Sequence, residues 1–415
     1  MSESIEILNE LQQMAYDQVI QNKKNIFLTG PGGVGKSYLI KKIKIDMEIK
    51  YNKNVALTST TGISAQIIGG ATLFSYLGIQ LGTKSFDVLL KQLKTNIFIL
   101  NRWKRIDVLI IDEVSMMSME LFEKLEKLAR AIRKNEKPFG GIQLILSGDW
   151  LQLPSVTHSN FLFESNMWDT CIDKTIYLTE IIRQTDNLLI RVLNKIRICD
   201  IDDEVRMVLK SREIKYHSDI GLIPTMFFTT NQKVDNANNK YYDKLDTIEY
   251  SYQLQYNWIK KITYKEKYDV LLRFKQELKL KVGAQVMYLI NSSKYNLVNG
   301  SRGIIKDFVD GFPLVLFDNG LEIIISNESL DIEEGNDLIL TYSQLPLTLA
   351  WAVTIHRAQG STVSLARIDF KNMFEYGQAY VALSRIKSLD GLYIRNLDFN
   401  AIKAHPKAVE YYKSI

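Results

Sequence analysis

The chain is 415 residues long and 46% apolar, enough for two to four domains with ordinary buried cores. Lys and Arg number 52 against 47 Asp and Glu, and the resulting +5 allows a nucleic-acid partner without demonstrating one. Two cysteines, Cys171 and Cys199, exclude a disulfide scaffold and an iron–sulfur cluster and fit a reducing compartment, while His158, His217, His356 and His405 lie too far apart for a local zinc motif. No apolar run reaches the ~18 residues of a membrane span, and the acidic Met1–Glu10 does not read as a transit or secretory signal. In chain order, Leu8, Leu11, Ala15 and Val19 predict a helix over 8–20. A short apolar strand at Asn25–Thr29 runs into the glycine-rich residues 30–37, and a helix begins near Ser37. Further strands are expected at Val55–Ser59, Asp107–Ile111 and Ile142–Leu146, each ending in polar residues. Apolar strands separated by helices imply a mostly parallel sheet, with ligands at the strand ends.

A break follows Pro154. A short strand and a helix over 176–199, a strand at Leu222–Thr229 and a helix after it begin a second α/β region. From about 250 to 340 the pattern changes to short β runs with Asn299-Gly300, Asp310-Gly311 and Asn319-Gly320 turns, a small barrel-like antiparallel module. Parallel-sheet character returns at Leu345–Ile355 and Ala366–Ile368, so the module reads as an insertion.

Gly30-Pro-Gly-Gly-Val-Gly-Lys36-Ser37 fits the full phosphate-loop pattern in its strand–loop–helix setting. Gly30, Gly32, Gly33, Val34 and Gly35 would wrap phosphates with backbone N–H groups, Lys36 would reach the β- and γ-phosphates, and Ser37 would hold Mg²⁺. Asp112 is the natural second anchor for Mg²⁺, and Glu113 can take a proton from the attacking water. Gln152, in Gly148-Asp-Trp-Leu-Gln152, can meet the γ-phosphate or its water and report to whatever Trp150 and Leu153 pack against, or the block is simply a capped strand end. Arg183 and Arg385 stand in the second α/β region; either is by default a surface arginine, but a phosphate-loop motor split over two domains would need cations from the second for the transferring phosphoryl oxygens.

The order of these blocks resembles a superfamily 1B DNA helicase of the Pif-one type, related to RecD-like helicases, over about residues 8–400. The resemblance rests on Gly30–Ser37, Thr58–Ala65, Asp112–Met116, Gly148–Pro154, Leu178–Gln184, Leu347–Thr362 and Gln378–Arg385, and the stretch Leu121–Gly141 is similar to the signature that separates this family from its RecD relatives. It implies an α/β fold of two RecA-like P-loop NTPase motor domains. The first, 1A, covers 1–154 and includes a small 1B element at about 72–105; the second, 2A, is made of 155–250 and 341–415; an SH3-like β-barrel, 2B, is inserted at 251–340. It implies an ATP-driven motor moving 5′ to 3′ on single-stranded DNA, with Gln12, or its neighbour Gln13, against adenine. The resemblance is to a nearly bare motor core. Phe74 stands where the family commonly has histidine, Arg357 where it has lysine, and Trp150 where it has phenylalanine.

For the DNA track, Ser59, Thr60 and Thr61 crowd a strand end, where small hydroxyls and N–H groups can bind backbone phosphates or simply cap the next helix. Asn231, and the group Thr354, His356, Arg357 and Gln359, have similar potential, and Phe74 offers a stacking ring; Trp351 reads as core before base stacking. Lys260, Lys261, Lys265, Lys267, Arg273, Lys275, Lys279 and Lys281 line the track or form a solvated face. The expected partners are single-stranded DNA and tailed or forked duplexes, with RNA–DNA hybrids and G-quadruplexes as further candidates, and the motor is expected to act as a monomer away from membranes. The expected location is the cytoplasm of a bacterium or phage host, or otherwise a viral replication compartment, nucleus or cytoplasm. A translocase that remodels protein–DNA complexes, an RNA or hybrid helicase and a nucleotide-gated switch are the competing readings.

Overall fold

The computed structural model describes residues 8–80, 82–154, 160–214, 222–259, 274–292, 294–334, 337–358, 360–371 and 373–415. They form two compact units, one reaching Ile182 and including Pro406–Ile415, the other spanning Arg183–His405.

The first unit is built on six parallel strands: β1 (Ile26–Thr29), β2 (Val55–Ser59), β3 (Ala71–Thr72), β4 (Val108–Asp112), β5 (Gln143–Gly148) and β6 (Lys174–Tyr177). They lie in the order β3-β2-β4-β5-β1-β6. Strands β1, β2 and β4 are buried along their whole length, which is why they read as continuous apolar runs rather than alternating ones. β6 pairs with β1 in register from Ile26–Lys174 to Thr29–Tyr177, so the sheet is not complete until Tyr177. The boundary expected at 154 is therefore corrected to Ile182, and Pro406–Ile415 leaves the second region for the first.

The element at 72–105 is helical, with Leu73–Leu77, Phe86–Thr95 and Ile97–Arg105. The helix Met119–Arg133, most of which lies in the Leu121–Gly141 stretch, grips it at two places. Lys124 Nζ donates to the carbonyls of Gly82 and Lys84, both at 2.8 Å. Arg133 Nη1 donates to Trp103 O and Lys104 O at 2.9 Å and to Ile106 O at 3.0 Å, while its Nε binds Gly140 O at 2.7 Å. The stretch thus fastens the small element to the sheet, and Gly140 can turn back tightly because its φ is +61°.

In the second unit a four-stranded parallel sheet runs Ala352–Thr354, Thr225–Phe228, Ala366–Asp369, Leu392–Arg395. Antiparallel sheets share a separate core containing Leu280, Val286, Val315, Phe317 and Leu340. Leu347–Leu349, expected in the parallel sheet, instead pairs antiparallel with Gln285–Tyr288 of the module; only Ala352–Thr354 joins the parallel sheet. The junction is hydrogen-bonded through buried polar side chains. Gln285 Nε2 donates to Ile223 O and Ala350 O at 2.9 Å each, and Arg302, fully buried, reaches Ile223 O at 2.5 Å and also Leu365 O. Trp351 is buried in this core and stacks on Tyr241 at 5.8 Å, the core role expected of it.

Candidate nucleotide and nucleic-acid site

The loop after β1 takes backbone shapes that only glycine accepts easily: φ is +139° at Gly30, +92° at Gly33 and +83° at Gly35. A Cβ at Gly30 would sit 2.2 Å from Leu178 O. The helix Lys36–Tyr51 begins at Gly35 with no side-chain cap, and the positive end of its dipole at the loop suits an anion. Lys36 Nζ lies over the loop, 2.7 Å from Gly30 O and 2.9 Å from Pro31 O. The segment after β6 backs the loop, with Ile182 N donating to Gly33 O at 2.8 Å. Gln12 is 3% exposed, and its Nε2 donates to Val34 O at 3.2 Å; Asn9 holds its backbone through a capping box. Gln13 points elsewhere, to Asp17 at 3.0 Å, so of the two it is Gln12 that the helix phase turns toward the loop.

Ser37 Oγ donates to Asp112 Oδ2 at 3.2 Å, bringing together the two residues expected to hold a divalent cation. Burial pushes the Asp112 carboxyl above its ordinary range, while the Glu113 amide, the Lys36 charge and the Ser37 hydroxyl pull it back. An arriving cation favours the ionised form, so this donor set fits Mg²⁺. Glu113 is held in left-handed backbone, φ 55° and ψ 42°, an uncommon state for a glutamate. Thr60 Oγ1 donates to Glu113 O at 2.8 Å, and Ser59 Oγ to Asp112 O at 3.1 Å. Ser59 is fully buried and also bonds Ser64 Oγ at 2.5 Å. The DNA role expected of the Ser59 hydroxyl is therefore corrected: it is an internal tie between β2 and β4. Thr60 and Thr61 remain partly exposed.

Gln152 is buried, and its Nε2 donates to Asp149 Oδ2 at 3.3 Å, so the turn after β5 is braced from within. The Trp150 ring beneath it stacks on Phe27 at 4.9 Å and meets Trp168 edge-on at 6.0 Å.

In the second unit the two arginines singled out from sequence converge on one turn. Arg385 is 2% exposed; its Nε donates to Val381 O at 2.9 Å and its Nη2 to Ser384 Oγ at 2.8 Å. Arg183 Nη1 reaches Ser384 O at 3.4 Å, and Gln184 Nε2 donates to Ser384 O at 2.9 Å and Ile386 O at 3.1 Å. Gln184 was not singled out from sequence, and its place beside Arg183 was the available signal. Asn231 is exposed in the first turn of the helix Asn231–Tyr242, a position suited to a phosphate. Thr354 is buried at the end of its strand and Phe74 is half-buried. His356 and Arg357 lie on the short helix Ile355–Ala358, but their side chains fall outside the described residues, as do all of Gln359 and Lys260, Lys261, Lys265, Lys267 and Arg273.

Two family profiles match the chain: PIF1-like helicase over residues 7–207, and the 2B domain of DNA helicase Pif1 over residues 268–308. The ATP-dependent DNA helicase RRM3 of Saccharomyces cerevisiae is 32% identical, over 99% of this chain and 68% of its own length. The ATP-dependent DNA helicase PIF1 of Danio rerio is 37% identical, over 97% of this chain and 63% of its own. An uncharacterized protein, 030L, of Invertebrate iridescent virus 6 is 36% identical, over 98% of this chain and 94% of its own. The chain thus spans about two thirds of the two named helicases and nearly all of the viral protein. Pif1 helicase from Candida albicans superposes with a TM-score of 0.80 at 36% identity, over 98% of this chain and 99% of that one. Bacteroides Pif1 in complex with ADP-AlF4 gives 0.83 at 28% identity, over 98% and 97%. Similarity at 32–37% identity, sustained along almost the whole sequence and through the phosphate-loop unit, makes the chain a member of the PIF1-like helicase family.

Proposed function

We propose that this chain is an ATP-dependent DNA helicase that moves 5′ to 3′ along single-stranded DNA and separates duplex or structured DNA. The observation that carries the reading is the meeting of Ser37 and Asp112 at 3.2 Å, with Ser37 in the first turn of a helix that has no side-chain cap, which supports a triphosphate site over a glycine turn. In this reading Lys36 neutralises the β- and γ-phosphates, Ser37 and Asp112 hold Mg²⁺, and Glu113 accepts the proton of the attacking water. Bound Mg²⁺ supplies charge neutralisation at the phosphates. Gln12 faces adenine, Gln152 senses the γ-phosphate, and Arg183 and Arg385 supply cations to the transferring group. Thr60, Thr61, Phe74, Asn231, Thr354, His356, Arg357 and Gln359 form the track, which holds DNA by backbone contacts and should be sequence-tolerant and salt-sensitive.

Structures of Bacteroides Pif1 bound to single-stranded DNA and of two Pif1 helicases at forked duplex DNA support these substrates for a relative 28% identical to this chain. Monomeric action, hybrid or G-quadruplex substrates, and a location in cytoplasm, nucleus or viral replication compartment are part of the same proposal. Matched duplexes with a 5′ tail, a 3′ tail or blunt ends, given ATP and Mg²⁺, test it. Strand release should be strong for the 5′-tailed DNA and weak for the others. A 3′ preference overturns the polarity, and DNA-stimulated turnover without release favours a translocase. An RNA tail tests sugar discrimination through the 2′-hydroxyl.

A further inference from the structure

The helix Pro406–Lys413 belongs to the first unit and carries two adjacent tyrosines to the base of the nucleotide site. Tyr411 stacks on Phe163 with ring centroids 4.4 Å apart. The Tyr412 ring leans on Tyr177 of β6 at 5.6 Å, and its oxygen lies between two segments. Thr29 Oγ1 shares a 2.5 Å hydrogen bond with that oxygen, and the Trp150 backbone N–H donates to it over 3.1 Å. Thr29 is the last residue of β1, immediately before Gly30. Trp150 precedes Gln152 by two residues in a turn that Asp149 also braces, accepting from Leu151 N at 3.1 Å. One phenolic oxygen therefore joins the strand that feeds the phosphate loop to the turn that carries the glutamine.

We propose that Tyr412 is a positioning residue for ATP hydrolysis, its hydroxyl fixing Gln152 relative to the phosphate loop through Thr29 and Trp150. The inference rests on the helicase reading of the loop and Gln152. A tyrosine oxygen can accept from an amide while sharing a second bond with a hydroxyl, which a phenylalanine of the same shape cannot. If only the ring mattered, the aromatic packing on Tyr177 would serve unchanged without the oxygen. Reaction rates are steep in alignment: a misplacement of about 1 Å can cost roughly a hundredfold.

Tyr412→Phe removes the oxygen and keeps the ring. In the full chain, DNA-stimulated kcat should fall about tenfold, with KM for ATP within about twofold and single-strand affinity unchanged. In a Gln152→Ala background the same change should lower kcat by less than about twofold, because the positioned group is gone. Thr29→Val cuts one of the two bonds from the other side and should give a smaller kcat loss of the same kind. Wild-type turnover in Tyr412→Phe, a rise in KM at constant kcat, or full multiplication with Gln152→Ala would each overturn the inference alone. A wild-type chain without DNA-stimulated turnover would overturn the helicase reading and this inference with it.

Discussion

Glu113 is where backbone conformation and chemistry pull in opposite directions. Its φ of 55° and ψ of 42° place an L-residue in the left-handed region, which costs about 1–2 kcal/mol relative to glycine. Thr60 Oγ1 on its carbonyl, and Met116 N donating to the same oxygen at 3.2 Å, hold it there. Glu113→Gly should relieve the strain, less about 0.5–1 kcal/mol for glycine's extra freedom in the unfolded chain. Against Glu113→Ala, which keeps the strain and also lacks the carboxylate, glycine should be more stable by about 0.5–1 kcal/mol. For a unit of 150–250 residues that is roughly 1–4 °C in Tm. Both variants should lose about 10²–10⁴-fold of turnover, the usual contribution of a general base. Thermal unfolding of the full chain and DNA-stimulated phosphate release measure the two effects separately. Glu113→Gln should keep nucleotide binding while losing turnover. If glycine melts at or below alanine, the backbone is not strained; if turnover stays within tenfold of wild type, Glu113 is not the base.

Lys36→Ala should abolish DNA-stimulated turnover and weaken ATP binding, and near-normal phosphate release would remove Lys36 from its role. Gly30→Ala forces a Cβ to 2.2 Å from Leu178 O at φ +139°, and a loss of about 2–4 kcal/mol in the denaturant midpoint analysis is expected. Arg385→Ala should still bind single-stranded DNA yet lose at least ~10²-fold of stimulated hydrolysis; intact hydrolysis with weakened DNA binding would move Arg385 to the track. Burial pushes the Asp186 carboxyl up, but the amides of Leu389, Leu189 and Leu188 outweigh it and leave its pKa below the ordinary value. Its stabilisation is therefore present above the unfolded-state pKa and lost as pH falls through the lowered one. Asp186→Ala should cost about 1–2 kcal/mol at neutral pH, and melts at decreasing pH should show the gap narrowing below about pH 4.

The nucleotide half of the site was legible because phosphate chemistry leaves few solutions: a glycine loop, a lysine, a hydroxyl and acids at neighbouring strand ends. The interior parallel strands were legible for a related reason, being buried on both faces. β6 was harder: Lys174–Tyr177 is a short edge strand, partly exposed and carrying a lysine and a threonine. Parallel register is not written in a sequence, so the hydroxyls of Ser59 and Thr60 looked free when their partners were the carbonyls of Asp112 and Glu113. Gln12 and Gln13 differ by a single step of helix, about 100°, and the Asn9 capping box, which fixes where that helix starts, sets which of them faces the loop. Tyr412 lies 383 positions from Thr29 and belongs to none of the blocks that carry the family resemblance.

The ties from Ser59 and Thr60 to the two acids have a mechanical consequence. Two neighbouring hydroxyls on one strand end bond two successive carbonyls on the next, so the corner is cross-linked twice and does not rest on side-chain packing alone. A displacement of Thr61 would therefore reach the Glu113 peptide through its immediate neighbour and one 2.8 Å link.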